Sequence, residues 1–143
     1  MTETAARSRG FEVVLIIVYG IFALSATARS LVQILRDFSF APVAYVFSLL
    51  AALTYIAVTA VLVRRGRRSP LALALCLIEL VGVLVVGMLS VFDAALFTDD
   101  TVWSGFGEGY GYVPLLLPVV ALTYILRARW KHHQGPRDRA SSR

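Results

Sequence analysis

Four long apolar blocks constrain this chain more than any other feature of its sequence. They lie at about residues 11–35, 42–63, 70–92 and 112–130, with short polar segments between them. A helix needs about 20 apolar residues to cross the hydrocarbon core of a bilayer. Of the 143 residues, 58% are apolar and only 16% are charged, which is outside the usual range of soluble domains. The sequence therefore predicts an all-α, integral membrane four-helix bundle with up-down-up-down topology.

Basic residues are distributed unevenly between the two ends of the predicted helices. Arg7 and Arg9 precede the first block, and the link RRGRR fills residues 64–68. The tail at 132–143 is also basic, whereas the loop between the third and fourth blocks is acidic. Because basic loops stay in the cytoplasm, we expect cytoplasmic termini, an extracytoplasmic acidic loop and a bacterial inner membrane location.

The polar ends of the chain are predicted to flank a transmembrane domain at 11–131. Residues 1–10 and 132–143 are expected to be loosely ordered. The basic tail favours anionic lipid headgroups by about 1 kcal/mol per basic residue near the surface. Since the basic residues follow the topology of the apolar blocks, no nucleic-acid partner is expected.

Glu79 interrupts the third block near the middle of the bilayer. A charged carboxylate at that depth costs several kcal/mol, so the group must be protonated, paired or close to water. Tyr19 and Tyr55 lie at about the same depth, and their hydroxyls could bond to a protonated carboxyl. Two interpretations stay open: a polar residue that fixes helix packing, or a proton- or cation-coupled site.

Arg29 and Gln33 are one turn apart on the outer part of the first helix, so they share a face. Arg29 lies too far beyond Tyr19 to pair with Glu79. Its side chain could extend to the interface, or it could line with Gln33 an outward-facing cavity for an anion or lipid headgroup.

Small residues mark one face of the third helix. Gly82, Gly87 and Ser90 lie on this face. Such a face is typical of close helix–helix contact. We therefore expect another helix to pack there.

The segment SGFGEGYGYVP at 104–114 has glycines at alternate positions. This spacing does not match the dinucleotide fingerprint, and the lysine of a P-loop is missing. The aromatic residues, with Trp103, are expected in an interfacial belt. We predict that the loop folds over the outer mouth of the bundle, with Glu108 as the partner of Arg29.

The sequence lacks the residues that several familiar membrane-protein chemistries require. No histidine lies in an apolar block, which argues against bis-histidine haem ligation. The single cysteine, Cys76, excludes an intrachain disulfide and a CxxC redox pair. Asp99 and Asp100 lack the spaced ligands of a calcium loop. We expect no catalytic residue, cofactor or metal.

Three segments of the sequence carry a resemblance to a known group of proteins. They are ARSLVQI, ELVGVLVVGMLS and DDTVWSGFGEGYGYVPLLLP. They resemble segments of small four-span integral membrane proteins of high-GC actinobacteria. The resemblance implies a bacterial inner membrane location and brings no activity or ligand with it.

Two functions fit these features. The first is a non-catalytic accessory or assembly subunit of a larger envelope or energy-transducing complex, with other membrane subunits or further copies of the chain as partners. The second is a small proton-coupled transporter or lipid-headgroup binder that uses Glu79 with Tyr19 and Tyr55, and Arg29 at the outer mouth.

Overall fold

The structure is a computed structural model that describes the backbone of residues 2–141 and the side chains of residues 9–130. Its long helices are α1 (Thr2–Asp37), α2 (Pro42–Arg64), α3 (Pro70–Phe92) and α4 (Val113–Ser141). Short 3₁₀ helices occupy Phe38–Phe40, Ala94–Leu96, Ser104–Phe106 and Glu108–Tyr110. The predicted all-α four-helix bundle is confirmed.

Four helical segments in the described part of the chain are long and apolar enough to cross a membrane. They are 9–40, Pro42–Arg64, Pro70–Phe92 and Val113–Trp130. The chain is therefore a multi-pass membrane protein. Helical backbone also continues through residues 2–10 and on to Ser141, where the sequence predicts loose order. Extending an existing helix fixes only one residue per added hydrogen bond, so propagation costs much less than nucleation.

Local sequence sets the connection between α2 and α3. Gly66 has a φ of +75°, and its amide donates to the carbonyls of Val61 and Leu62 at 3.2 Å. A glycine in this left-handed conformation commonly ends a helix. The Ser69 hydroxyl then accepts the Leu71 amide at 3.2 Å, and Pro70 occupies the first turn of α3. A glycine stop and a capped proline start therefore make a tight turn.

Helix packing leaves one side of the bundle less closed than the others. α1 packs mainly on α2, where Ala44, Ala51 and Ala52 are fully or almost fully buried. α3 packs on α2 and on α4. α1 and α4 face each other across an apolar groove of about 280 Å³, lined by residues that include Leu15, Val18, Leu117 and Val120.

A cluster of side chains joins the helices at the end of the bundle that carries the α2–α3 turn, here called the terminal end. Arg67 donates to the Tyr124 hydroxyl, and its guanidinium lies 5.2 Å from the centre of that ring. Arg67 also pairs with Glu12 at 4.0 Å, and the Phe11 ring packs 4.8 Å from Tyr124. This terminal-end cluster fastens α1, the turn and α4 together.

The small-residue face of α3 contacts a loop instead of a helix. The connection between α3 and α4, residues 93–112, is here called the lid loop. A side chain added at Gly82 would lie 2.7 Å from Trp103, and one added at Gly87 would collide with Phe106. The expectation that another helix packs on this face was wrong. The space left by the missing side chains of Gly82 and Gly87 is filled by aromatic rings of the lid loop, which fit there as well as a helix would.

Replacing Gly82 with alanine should therefore destabilise the protein by about 1–3 kcal/mol, since the added methyl overpacks against Trp103. Gly20→Ala is the matched control, because its methyl would meet Thr59 Cγ2 at an ordinary 3.9 Å. Thermal unfolding in detergent should show a lower midpoint for Gly82→Ala only. Equal midpoints for the two variants would contradict the packing of Trp103 on Gly82.

Candidate functional site

The lid loop folds back over the end of the bundle opposite the terminal end, here called the lid end. Arg29 Nη2 donates to the Asp100 carbonyl at 2.8 Å, and Gln33 Nε2 donates to the same carbonyl at 3.1 Å. The Tyr45 hydroxyl donates to Asp99 Oδ2 at 3.2 Å. Side chains from α1 and α2 therefore fix the acidic stretch of the loop, as the predicted lid requires.

The expected partnership of Arg29 with Glu108 was wrong. Arg29 Nη1 donates to the Tyr110 hydroxyl at 3.3 Å, and no ion pair joins Arg29 to Glu108 among the described side chains. Glu108 is exposed, although it borders the same cavity as Arg29. A backbone carbonyl and a phenol accept from the two terminal nitrogens of Arg29, whereas its Nε has no partner among the described residues. The loop therefore closes over Arg29 without Glu108.

Trp103 enters the bundle and does not join an interfacial belt, which corrects the sequence-based expectation. Its side chain is 3% exposed, and its indole nitrogen donates to the Tyr55 hydroxyl at 2.9 Å. The bare backbone at Gly82 leaves room for the ring. A buried indole N–H needs an acceptor, and Tyr55 supplies it.

Unfavourable backbone conformations show how firmly the lid loop is held. Phe106 and Tyr112 both have a φ of +61°. For residues other than glycine, such conformations cost of order 1–3 kcal/mol each. Phe106 packs on Gly87, and the Gly105 amide donates to Ser90 Oγ at 2.8 Å. Contacts with α3 therefore compensate the strain at Phe106.

Glu79 lies in the centre of the bundle and is fully buried. The Tyr19 hydroxyl donates to Glu79 Oε2 at 2.8 Å, and it also lies 3.8 Å from the Cys76 sulfur. Counting residues along the helices placed Tyr19 and Glu79 at the same depth, and the structure brings them into contact.

Tyr55 completes the polar layer by a different route from the expected one. Its ring centre lies 6.3 Å from that of Tyr19, but its hydroxyl accepts from Trp103. Glu79 Oε1 has no hydrogen-bond partner among the described residues. The site therefore consists of a half-satisfied carboxyl beneath a Tyr55–Trp103 pair, with the lid loop above.

Comparisons and metal geometry add no further assignment. No protein-family model, curated protein or solved structure matches the chain. Within residues 9–130, no three histidine, cysteine or acidic side chains come together as a metal site would need. The candidate site therefore rests on its own geometry.

Sequence reasoning missed several contributors to the site. No sequence pattern marks Tyr45 as a site residue, and the spacing of Asp99 indicates at most a weak cation ligand. The structure joins the two by a hydrogen bond at the lid end. In the sequence, Arg67 indicates only membrane topology, although in the structure it holds the terminal-end cluster. The available signal for the position of Trp103 was a tryptophan in the loop that follows the small-residue face of α3.

Arg29→Ala should loosen the lid loop by about 1–3 kcal/mol, because it removes two hydrogen bonds from a charged donor. The chain has two tryptophans, so a Trp130→Phe background leaves Trp103 as the reporter. Acrylamide should quench Trp103 weakly in that background and more strongly after Arg29→Ala. The control is Arg36→Ala, an exposed arginine of α1; equal quenching in both variants would show that Arg29 does not hold the lid.

Proposed function

We propose that the protein is a non-catalytic accessory or assembly subunit of a larger membrane complex. The observation that carries the proposal is the insertion of Trp103 and Phe106 into the small-residue face of α3. These rings fill space that a substrate path through so small a bundle would need. Rigid, filled bundles suit a structural role better than transport.

The groove between α1 and α4 is the proposed docking side. It adjoins a second hollow of about 420 Å³ at the terminal end, and Phe11 and Val120 border both. Arg127 borders the second hollow. We expect the occupant to be a transmembrane helix of a partner subunit, apolar along the groove and carrying an acidic residue that meets Arg127.

The proposal includes a location in a bacterial cytoplasmic membrane with both termini in the cytoplasm. The arginine-rich α2–α3 turn supports this orientation, because basic loops are retained inside. The resemblance to small four-span proteins of high-GC actinobacteria supports the same location. The basic tail, expected to meet anionic lipid headgroups, lies outside the residues whose side chains the structure describes.

Purification in mild detergent tests the accessory role. We expect partner chains to co-purify. Val120→Trp should reduce their recovery at least about tenfold, because the larger side chain fills the groove and excludes the partner helix from the centre of the interface. Leu126→Trp is the control, because Leu126 is 52% exposed and does not line the groove. Recovery of a homo-oligomer alone, unchanged by Val120→Trp, would contradict the proposal.

One observation favours a second function, a small proton-coupled transporter or lipid-headgroup binder that uses Glu79 and Arg29. Glu79 Oε1 is buried without a hydrogen-bond partner among the described residues. An unsatisfied carboxyl oxygen in an apolar interior costs about 1–3 kcal/mol, a cost that proton exchange at this group would explain. Displacement of Trp103 from Tyr55 would open the route to it from the lid end.

The second function predicts that Glu79→Gln abolishes proton-coupled flux in proteoliposomes, because the amide cannot exchange a proton as a carboxyl does. Cys76→Ala is the control, since it alters the neighbour of Tyr19 and leaves the carboxyl intact. Flux should be compared across an acid-to-alkaline series with an imposed pH gradient. Identical flux in wild type and Glu79→Gln would remove Glu79 from any mechanism.

A further inference from the structure

A cavity of about 460 Å³ opens at the lid end, beside the polar contacts that fix the lid loop. Ligand pockets in proteins commonly have volumes of about 300–1,000 Å³. Its wall includes Arg29, Asp100, Ser104, Gly105, Glu108 and Tyr110. The cavity therefore combines one cation with two acids and several hydroxyl groups.

Arg29 forms the cationic wall of the cavity, and no neighbouring group among the described residues neutralises its charge. The hydrogen-bond acceptors of Arg29 are the Asp100 carbonyl and the Tyr110 hydroxyl, both of which are neutral. No carboxylate lies within ion-pair distance of Arg29 in the part of the chain that the structure describes. A half-buried guanidinium of this kind attracts an anionic group, and it binds phosphate especially well.

Glu108 and Asp100 form the anionic wall, which lines the same cavity. A side chain added at Gly105 would lie 3.0 Å from Glu108 Oε2, so this carboxylate lies over the backbone of the lid loop. Asp100 contributes a second exposed carboxylate to the wall. With Arg29 counted, the lining carries one positive and two negative formal charges. A simple anion would meet net repulsion here, whereas a dipolar ligand would meet a complementary charge at each end.

We infer that this cavity binds a zwitterionic phosphoamine, with its phosphate at Arg29 and Tyr110 and its ammonium at Glu108 and Asp100. The Tyr110 hydroxyl accepts from Arg29 and keeps its own hydrogen to donate to a phosphate oxygen. The cavity lies at the end of the apolar helices, which is the depth of phospholipid phosphates. The ligand is therefore the headgroup of an ethanolamine phospholipid or the free phosphoamine.

This binding site shares Arg29 with the second candidate function but does not need Glu79. It is also separate from the α1–α4 groove that the accessory role uses. A failure of the co-purification or flux experiments would leave the inference untouched. A failure of ligand binding would leave the accessory role and proton-coupled transport untouched, but it would contradict the lipid-headgroup binder of the second function.

Binding of short-chain lipids to the detergent-solubilised full chain tests the inference. The probes are dihexanoyl phosphatidylethanolamine, dihexanoyl phosphatidylglycerol and free phosphoethanolamine. We expect the ethanolamine lipid to bind about tenfold more tightly than the glycerol lipid, since a charge-assisted contact with the ammonium is lost in the second. Comparable binding of free phosphoethanolamine would identify a soluble ligand, and binding of the lipid alone would identify a headgroup site; both results support the phosphoamine.

Charge-neutral variants separate the two walls. Glu108→Gln should remove the preference for ethanolamine and leave phosphatidylglycerol binding unchanged or improved. Arg29→Gln should weaken the binding of both lipids. Asp93→Asn is the control, because Asp93 is an exposed acid of the same loop outside the cavity. Glu108 is exposed, so its variant should fold even if Arg29→Gln does not. Equal binding of the two lipids, or an ethanolamine preference that survives Glu108→Gln, would overturn the inference.

Discussion

The burial of Trp103 against Gly82 is the contact on which the lid end depends. The ring occupies the space of an absent side chain, and its N–H is satisfied by Tyr55 at 2.9 Å. With the ring fixed, the rest of the loop is held close enough for Ser90 to meet Gly105. The strained conformation of Phe106 is tolerable only because this packing compensates its cost. One glycine of α3 thus determines whether a twenty-residue connection is a lid or a loose loop.

The bundle also holds two of its ionisable groups, Glu79 and Arg29, in different environments. Glu79 lies in the apolar centre with one oxygen bonded to Tyr19, whereas Arg29 lies at the lid end with neutral acceptors. Neither group is neutralised by an opposite charge among the described side chains. The cost of an unpaired ionisable group is greatest at Glu79, which is fully buried, and smaller at the half-buried Arg29.

The sequence predicts the structure well where helix length and position along a helix determine the outcome. The number of long helices and the bounds of α2 and α3 follow from apolar length, whereas α1 and α4 extend beyond their predicted spans. The Tyr19–Glu79 contact follows from equal depth along the helices. Prediction from the sequence failed where the outcome depends on the path of an irregular loop. The glycines of α3 indicate close approach but do not distinguish a helix from an indole ring. Likewise, Arg29 had several polar groups within reach, and which of them it bonds depends on loop geometry that no spacing rule encodes.

The lengths of α1 and α4 have a mechanical consequence. α1 (Thr2–Asp37) has 36 residues, and α4 (Val113–Ser141) has 29. At 1.5 Å per residue, these correspond to about 54 Å and about 44 Å. Both helices are longer than the hydrocarbon core of a bilayer, so both must tilt or project from it. Because the two helices are fastened to each other through the terminal-end cluster and the lid, a tilt of one helix carries the other with it. A change in membrane thickness is therefore expected to tilt the pair as a unit and to leave the groove between them at its width.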